Sequence, residues 1–86
     1  MNIYEMIFAE GIDYVSAPTL LEAVKTHVSI TGIDLDDYNE DDNIRKLPKK
    51  EWLLYSNIDD DNGEVTTFAE IMKNKKSNEI ISTVGY

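Results

Sequence analysis

The sequence predicts a small single-domain α+β fold, an antiparallel β-sheet of about 4–6 strands with two helices packed on one face. Three observations carry this. Strand formers fill residues 2–9 and 12–16 around Glu10-Gly11, the pattern of a β-hairpin. Two capping boxes, Thr19-Leu20-Leu21-Glu22 and Thr67-Phe68-Ala69-Glu70, precede apolar residues at helical spacing, which opens a helix at each threonine. Between them, Asn62-Gly63 is a strong two-residue hairpin signal, because both positions tolerate positive φ.

Each element follows in turn. After the hairpin, Thr19 accepts from the Glu22 amide and a helix runs over 20–31, with Leu20, Leu21, Val24 and Val28 on one face and Gly32 at the left-handed C-terminal position. Residues 33–43 have no apolar periodicity and form a long acidic loop. Isoleucine 44 to Leu47 reads as a short strand ended by Pro48, which pre-sets a short helical piece over 48–51. Trp52 to Ile58 reads as a strand, with a helix from Pro48 as the competing reading. Asn62-Gly63 joins it to Glu64-Val65-Thr66, a helix spans Thr67 to about Asn74, and residues 79–84 make a last strand. The expected core is Ile3, Ile7, Phe8, Val15, Leu20, Val24, Val28, Trp52, Leu54, Phe68, Ile71 and Ile81.

A chain of 86 residues has room for one core, so 1–86 is one domain that buries about 60–65% of its unfolded surface. Its eight aromatics and 42% hydrophobic content separate it from a disordered acidic tail. No run approaches a membrane helix, and Met-Asn-Ile-Tyr-Glu lacks the basic flank and apolar segment of a signal peptide, so a cytoplasmic location is the expectation. The absence of cysteine and the single histidine, His27, exclude thiol catalysis, cysteine-ligated zinc and a histidine-rich metal site. His27 falls at the border of the helix's buried stripe and reads as a satisfied structural residue.

Acid dominates the electrostatics. Asp34, Asp36, Asp37, Glu40, Asp41 and Asp42 form one run around Tyr38, and Asp59, Asp60, Asp61 and Glu64 form a second. The net charge of -9 disfavours nucleic acid and anionic membranes as partners, because binding them relies on Lys and Arg. The bases are grouped as Arg45, Lys46, Lys49 and Lys50 and as Lys73, Lys75 and Lys76; they either neutralise the acidic segments or form a contact surface of their own. No serine lies in a nucleophile-elbow context and the four glycines make no phosphate loop, so no enzyme is expected and no cofactor is implied. Paired catalytic carboxylates need separated environments across a cleft, which solvated acidic runs lack.

Calcium is an alternative. Counting from Asp59 as first ligand puts Asp61 third and Glu70 twelfth, which echoes an EF-hand loop. The echo fails in the middle, where Gly63 is fifth and Glu64 holds the position of the turn glycine.

The main expectation is recognition of a protein partner with a basic surface by Asp34, Asp36, Asp37, Tyr38, Glu40, Asp41, Asp42, Asp59, Asp60 and Asp61, Tyr38 being the one aromatic anchor inside the loop. Extended at about 3.3 Å per residue, residues 34–42 would span roughly 26 Å, against a DNA strand that presents a phosphate about every 3.4 Å. In size and charge the chain resembles the inhibitors that phages and mobile elements use against restriction or CRISPR nucleases; the likeness covers no motif and implies only a DNA-mimic inhibitor of a nucleic-acid-binding enzyme. The alternative is a regulatory or assembly module that binds a protein through its sheet edge or basic cluster, as a monomer or homodimer. An ordinary solvated face that keeps the protein soluble is the plain account of the acid.

Overall fold

The computed structural model describes residues 1–58 and 61–85. Six strands, two helices and two short 3-10 turns follow one another: β1 (Asn2–Phe8), β2 (Gly11–Ala17), α1 (Leu20–Thr31), a 3-10 turn at Leu35–Asp37, β3 (Ile44–Leu47), a second at Lys49–Glu51, β4 (Ser56–Ile58), β5 (Val65–Thr67), α2 (Phe68–Met72) and β6 (Glu79–Gly85). The main sheet is antiparallel throughout, in the order β3-β1-β2-β6, and β4 pairs with β5 in a small second sheet. The α+β class is therefore as expected. Because β2 and β3 both run antiparallel to β1, they are parallel to each other, and α1 is the crossover that carries the chain over β1.

The helices do not share a face. Tyr4, Met6, Val15, Ala17 and Ile44 pack with Ala23 and Val24 of α1, whereas Ile3, Tyr14, Leu47 and Ile81 pack with Phe68 and Met72 of α2. Alternate residues along β1 and β2 thus belong to opposite layers, and the sheet is covered on both sides. This is why Ile3 to Met6 are four consecutive buried residues, a run that hides the period of two on which a one-sided sheet is read. A bulge lets β6 serve both layers: Val15 pairs with Ile80 and Tyr14 with Ser82, so Ile81 is the extra residue and joins the α2 side.

Local chemistry explains the elements. Thr19 accepts from the Glu22 amide at 3.2 Å and Gly32, at φ 74°, closes α1 with its amide on the Val28 carbonyl. The Glu22 carboxylate accepts from Asn78 Nδ2 at 3.2 Å, which ties the helix to the approach to β6. Thr67 caps α2 in the same way through the Glu70 amide. Gly11 closes the first hairpin at φ 155°, where a Cβ would lie 2.4 Å from the Val84 carbonyl oxygen; any side chain there collides with β6.

The segment after β3 departs from expectation. Trp52 to Ile58 is not one strand: Pro48 opens a 3-10 turn, and successive bonds from Glu51 N to Pro48 O, Trp52 N to Lys49 O and Leu54 N to Glu51 O carry the turn to Leu54. Trp52 is its anchor, with Nε1 donating to the Leu47 carbonyl at 3.2 Å and the Lys49 ammonium over its ring. Leu53 and Leu54 then point outward, 71% and 79% exposed, so Leu54 is not a core residue. Neither is Ile7, exposed at the end of β1. The register Ile58–Val65 is also offset from the Ile58–Thr67 pairing that a two-residue Asn62-Gly63 turn requires. α2 stops at Met72, short of Asn74.

Candidate functional site

The acidic loop is an ordered platform. Asp34 Oδ1 accepts from the Asp36 amide at 3.0 Å and starts the 3-10 turn, completed by bonds from Asp37 N to Asp34 O and Tyr38 N to Leu35 O. Two asparagines build the rest. Asn39 Oδ1 accepts from the Asp41 amide at 2.9 Å, and Asn43 Oδ1 accepts from the Asn39 amide while its Nδ2 donates to the Asp37 carbonyl, both at 2.8 Å. The loop ends docked on the sheet, where the Ile7 amide donates to the Asn43 carbonyl at 2.8 Å. Residues 34–42 are therefore folded into turns and not extended. Asparagine and aspartate side chains that bond their own backbone fold the segment into consecutive turns, and its charges form a cluster rather than a line.

Tyr38 fastens this platform to the core. Its hydroxyl lies 2.5 Å from His27 Nδ1, and its ring meets Phe8 and His27 edge-on. His27, 0% exposed, places Nε2 2.6 Å from Asp13 Oδ2, and Asp13 Oδ1 accepts from the Thr83 hydroxyl at 2.7 Å. One connected network thus runs from β6 through β2 and α1 to the loop. Both ring nitrogens of His27 thus have a hydrogen-bonding partner. Burial pushes the Tyr38 phenol above its ordinary pKa, opposed by a hydrogen bond with Thr31 and reinforced by the nearby carboxylates of Asp13 and Asp37.

Asp34, Asp36, Asp37, Glu40, Asp41 and Asp42 are all exposed. Among the described residues the ion pairs lie elsewhere. Arg45 contacts Glu5 and Glu51, Lys75 contacts Glu79, and His27 contacts Asp13, so no ion pair with a base reaches the loop. Glu5 sits at the centre of a row across the sheet, opposite Tyr14 on β2 and Arg45 on β3. It accepts from the Tyr14 hydroxyl at 3.0 Å and from Arg45 Nε at 3.3 Å. Glu5 and Tyr14 are buried in this row, and the exposed Arg45 closes its end. Burial, and next the bond to Glu5, drive the Tyr14 phenol far above its ordinary pKa.

Between α1 and the loop lies an apolar groove of about 380 Å³, walled by Leu20, Leu21 and Val24 on the helix and Leu35 and Tyr38 on the loop, with Ile44 and Glu40 completing it. The sequence concealed this groove because Leu35 stands alone among acids and Leu21 looks like part of the buried helix stripe; both are more than 60% exposed. Tyr38 is a wall and a tether rather than a free anchor.

Asp59 and Asp60 lie outside the described residues. Asp61 and Glu64 are exposed in the connection to β5, where the Glu64 amide donates to Asn62 Oδ1 at 2.7 Å. Among the described residues no group of three or more His, Asp or Glu is placed to hold a metal ion. None of their helices is long and apolar enough to cross a membrane. Comparison with family models, curated proteins and solved structures gave no match.

Proposed function

We propose that this protein is a non-enzymatic interaction protein that engages a protein partner's basic surface through the acidic loop, as an inhibitor that occupies a nucleic-acid-binding surface in place of phosphate. The observation that supports it is the set of six exposed carboxylates held on an ordered turn structure without a basic partner among the described residues. Clustered like charges cost self-repulsion and raise the local potential, which steers an oppositely charged partner and speeds its encounter. The clustering suits a basic concavity better than a one-to-one match to the phosphates of a strand. Asp61 extends the same acidic character, and Asp59 and Asp60 belong to its sequence run.

The test is affinity capture with the protein and with a variant carrying Asn at 34, 36, 37, 41 and 42. The reading predicts a nucleic-acid-binding partner that duplex DNA displaces from the native protein and that the variant fails to retain. Equal recovery by both proteins in the presence of excess DNA would remove the loop from the interface.

A second reading, an assembly module that works through the basic cluster, is favoured by one observation: Lys49 and Lys50 are exposed beside the outward-facing Leu53 and Leu54. Replacing Leu53 and Leu54 by serine then abolishes binding while the five-Asn variant retains it.

A further inference from the structure

The groove beside the acidic loop has the shape and charge of a receptor for one kind of segment. Its floor and walls are aliphatic or aromatic, no Lys or Arg lines it, and Glu40 stands on its rim with Asp34, Asp36 and Asp37 on the same loop. Its volume is within the roughly 300–1,000 Å³ of ligand clefts. Leu21 on its helix wall and Leu35 on its loop wall are 62% and 63% exposed, which costs hydration free energy in the free protein that a partner's apolar side chains recover.

We propose that this groove seats the apolar face of a basic amphipathic helix belonging to the protein partner, with the helix's Lys or Arg residues against the loop carboxylates; the proposal rests on the acidic-loop reading above. A helix in a groove presents anchors at i, i+3, i+4 and i+7, and side-chain walls that run along α1 match such a stripe. Charge decides the occupant: the rim is acidic, so a helix with basic flanks is attracted and an acidic one is repelled. The same rule disfavours a second copy of this chain, whose net charge is also -9.

The probes are two synthetic peptides of equal lysine content, one with leucines at the four anchor positions and one with serines there, titrated into the isotope-labelled protein and followed by NMR. The proposal predicts saturable shifts centred on Leu21, Val24, Leu35 and Ile44 with the leucine peptide, and affinity at least about tenfold lower for the serine peptide. Leu21→Ser weakens the leucine peptide by about tenfold. Leu21 is mostly solvent-exposed, so the variant keeps the fold, and Leu35→Ser on the other wall repeats the test independently. Equal affinity for both peptides, unchanged in Leu21→Ser and Leu35→Ser, overturns the groove while leaving the acidic loop as the contact. Undiminished binding of both peptides by the five-Asn variant instead overturns the acidic-loop reading. Concentration-dependent shifts at the groove without peptide assign it to a second copy and also overturn the proposal.

Discussion

His27 shows how much one residue can hold. It is fully buried, and its two ring nitrogens join Asp13 on the sheet to Tyr38 in the loop while Phe8 stacks on its ring. Replacing it with alanine leaves a cavity and takes a hydrogen-bond partner from the Tyr38 hydroxyl, at a cost of about 2–4 kcal/mol; Tyr38→Phe removes the part-buried bond to His27, at about 1–2 kcal/mol. Denaturant unfolding checks both. Asp36→Asn, by contrast, stays within about 0.5 kcal/mol, as an exposed substitution does. The loop is thus held mainly by Tyr38, Asn39 and Asn43, with the Asp34 carboxylate capping its first turn.

The buried Tyr14 and half-buried Tyr38 phenols give a pH dependence with a definite sign. Tyr14 and Tyr38 have folded-state pKa values raised above the ordinary value by burial and neighbouring carboxylates. The unfolded chain loses these protons first, so their contribution to stability is intact below about pH 10, the ordinary tyrosine value, and declines as pH rises through it toward the folded pKa values. Melting temperature should therefore fall from about pH 10 upward, and the fall should shrink in the Tyr14→Phe, Tyr38→Phe double variant. An unchanged alkaline slope in that variant would show that other groups set it.

At the scale of elements, the caps were legible and the turns were not. Both capping threonines act as their sequence motifs indicate, and Gly32 ends α1 because the left-handed position needs it. The acidic loop read as featureless because it lacks apolar periodicity, yet Asp34, Asn39 and Asn43 order it with side-chain-to-backbone bonds that no periodicity reports. Pro48 carried the signal for the turn that replaced the expected strand at Trp52 to Leu54. The loop's order rests most on Asn43, which bonds Asn39 and Asp37 by its side chain and Ile7 by its carbonyl. Asn43→Ala should lose about 1–2 kcal/mol and raise amide exchange at residues 37–42 with little change in α2. If loop protection persists, Asn43 is not the residue that orders it.

Over the whole molecule, the sheet is the divider. One layer holds α1, the His27 network, the groove and the acidic loop; the other holds α2, the small sheet and the Tyr14–Glu5–Arg45 row. The sequence predicted the class but not this division. A strand buried on both faces reads as a continuous apolar run, and Glu5 within β1 gave no sign that its partners stand on either side of it. The charge is likewise global: the five-Asn variant moves the net charge from -9 to -4, by five carboxylates removed. Because Asn keeps the side-chain oxygens with which Asp34 and Asp42 accept their bonds, the variant should be as stable as the native protein or more so at low salt, with the difference vanishing at high salt. A less stable variant would make the acids part of the fold.

The central claim is that the loop's charge is an interaction surface, and salt tests it most directly. The measurement is the affinity for the captured partner across a salt series, for the native protein and the five-Asn variant. The account predicts a steep decline of native affinity with salt and a variant that is weak and nearly insensitive to it. Equal affinities with parallel salt dependence would contradict it and leave the acid as a solvated face.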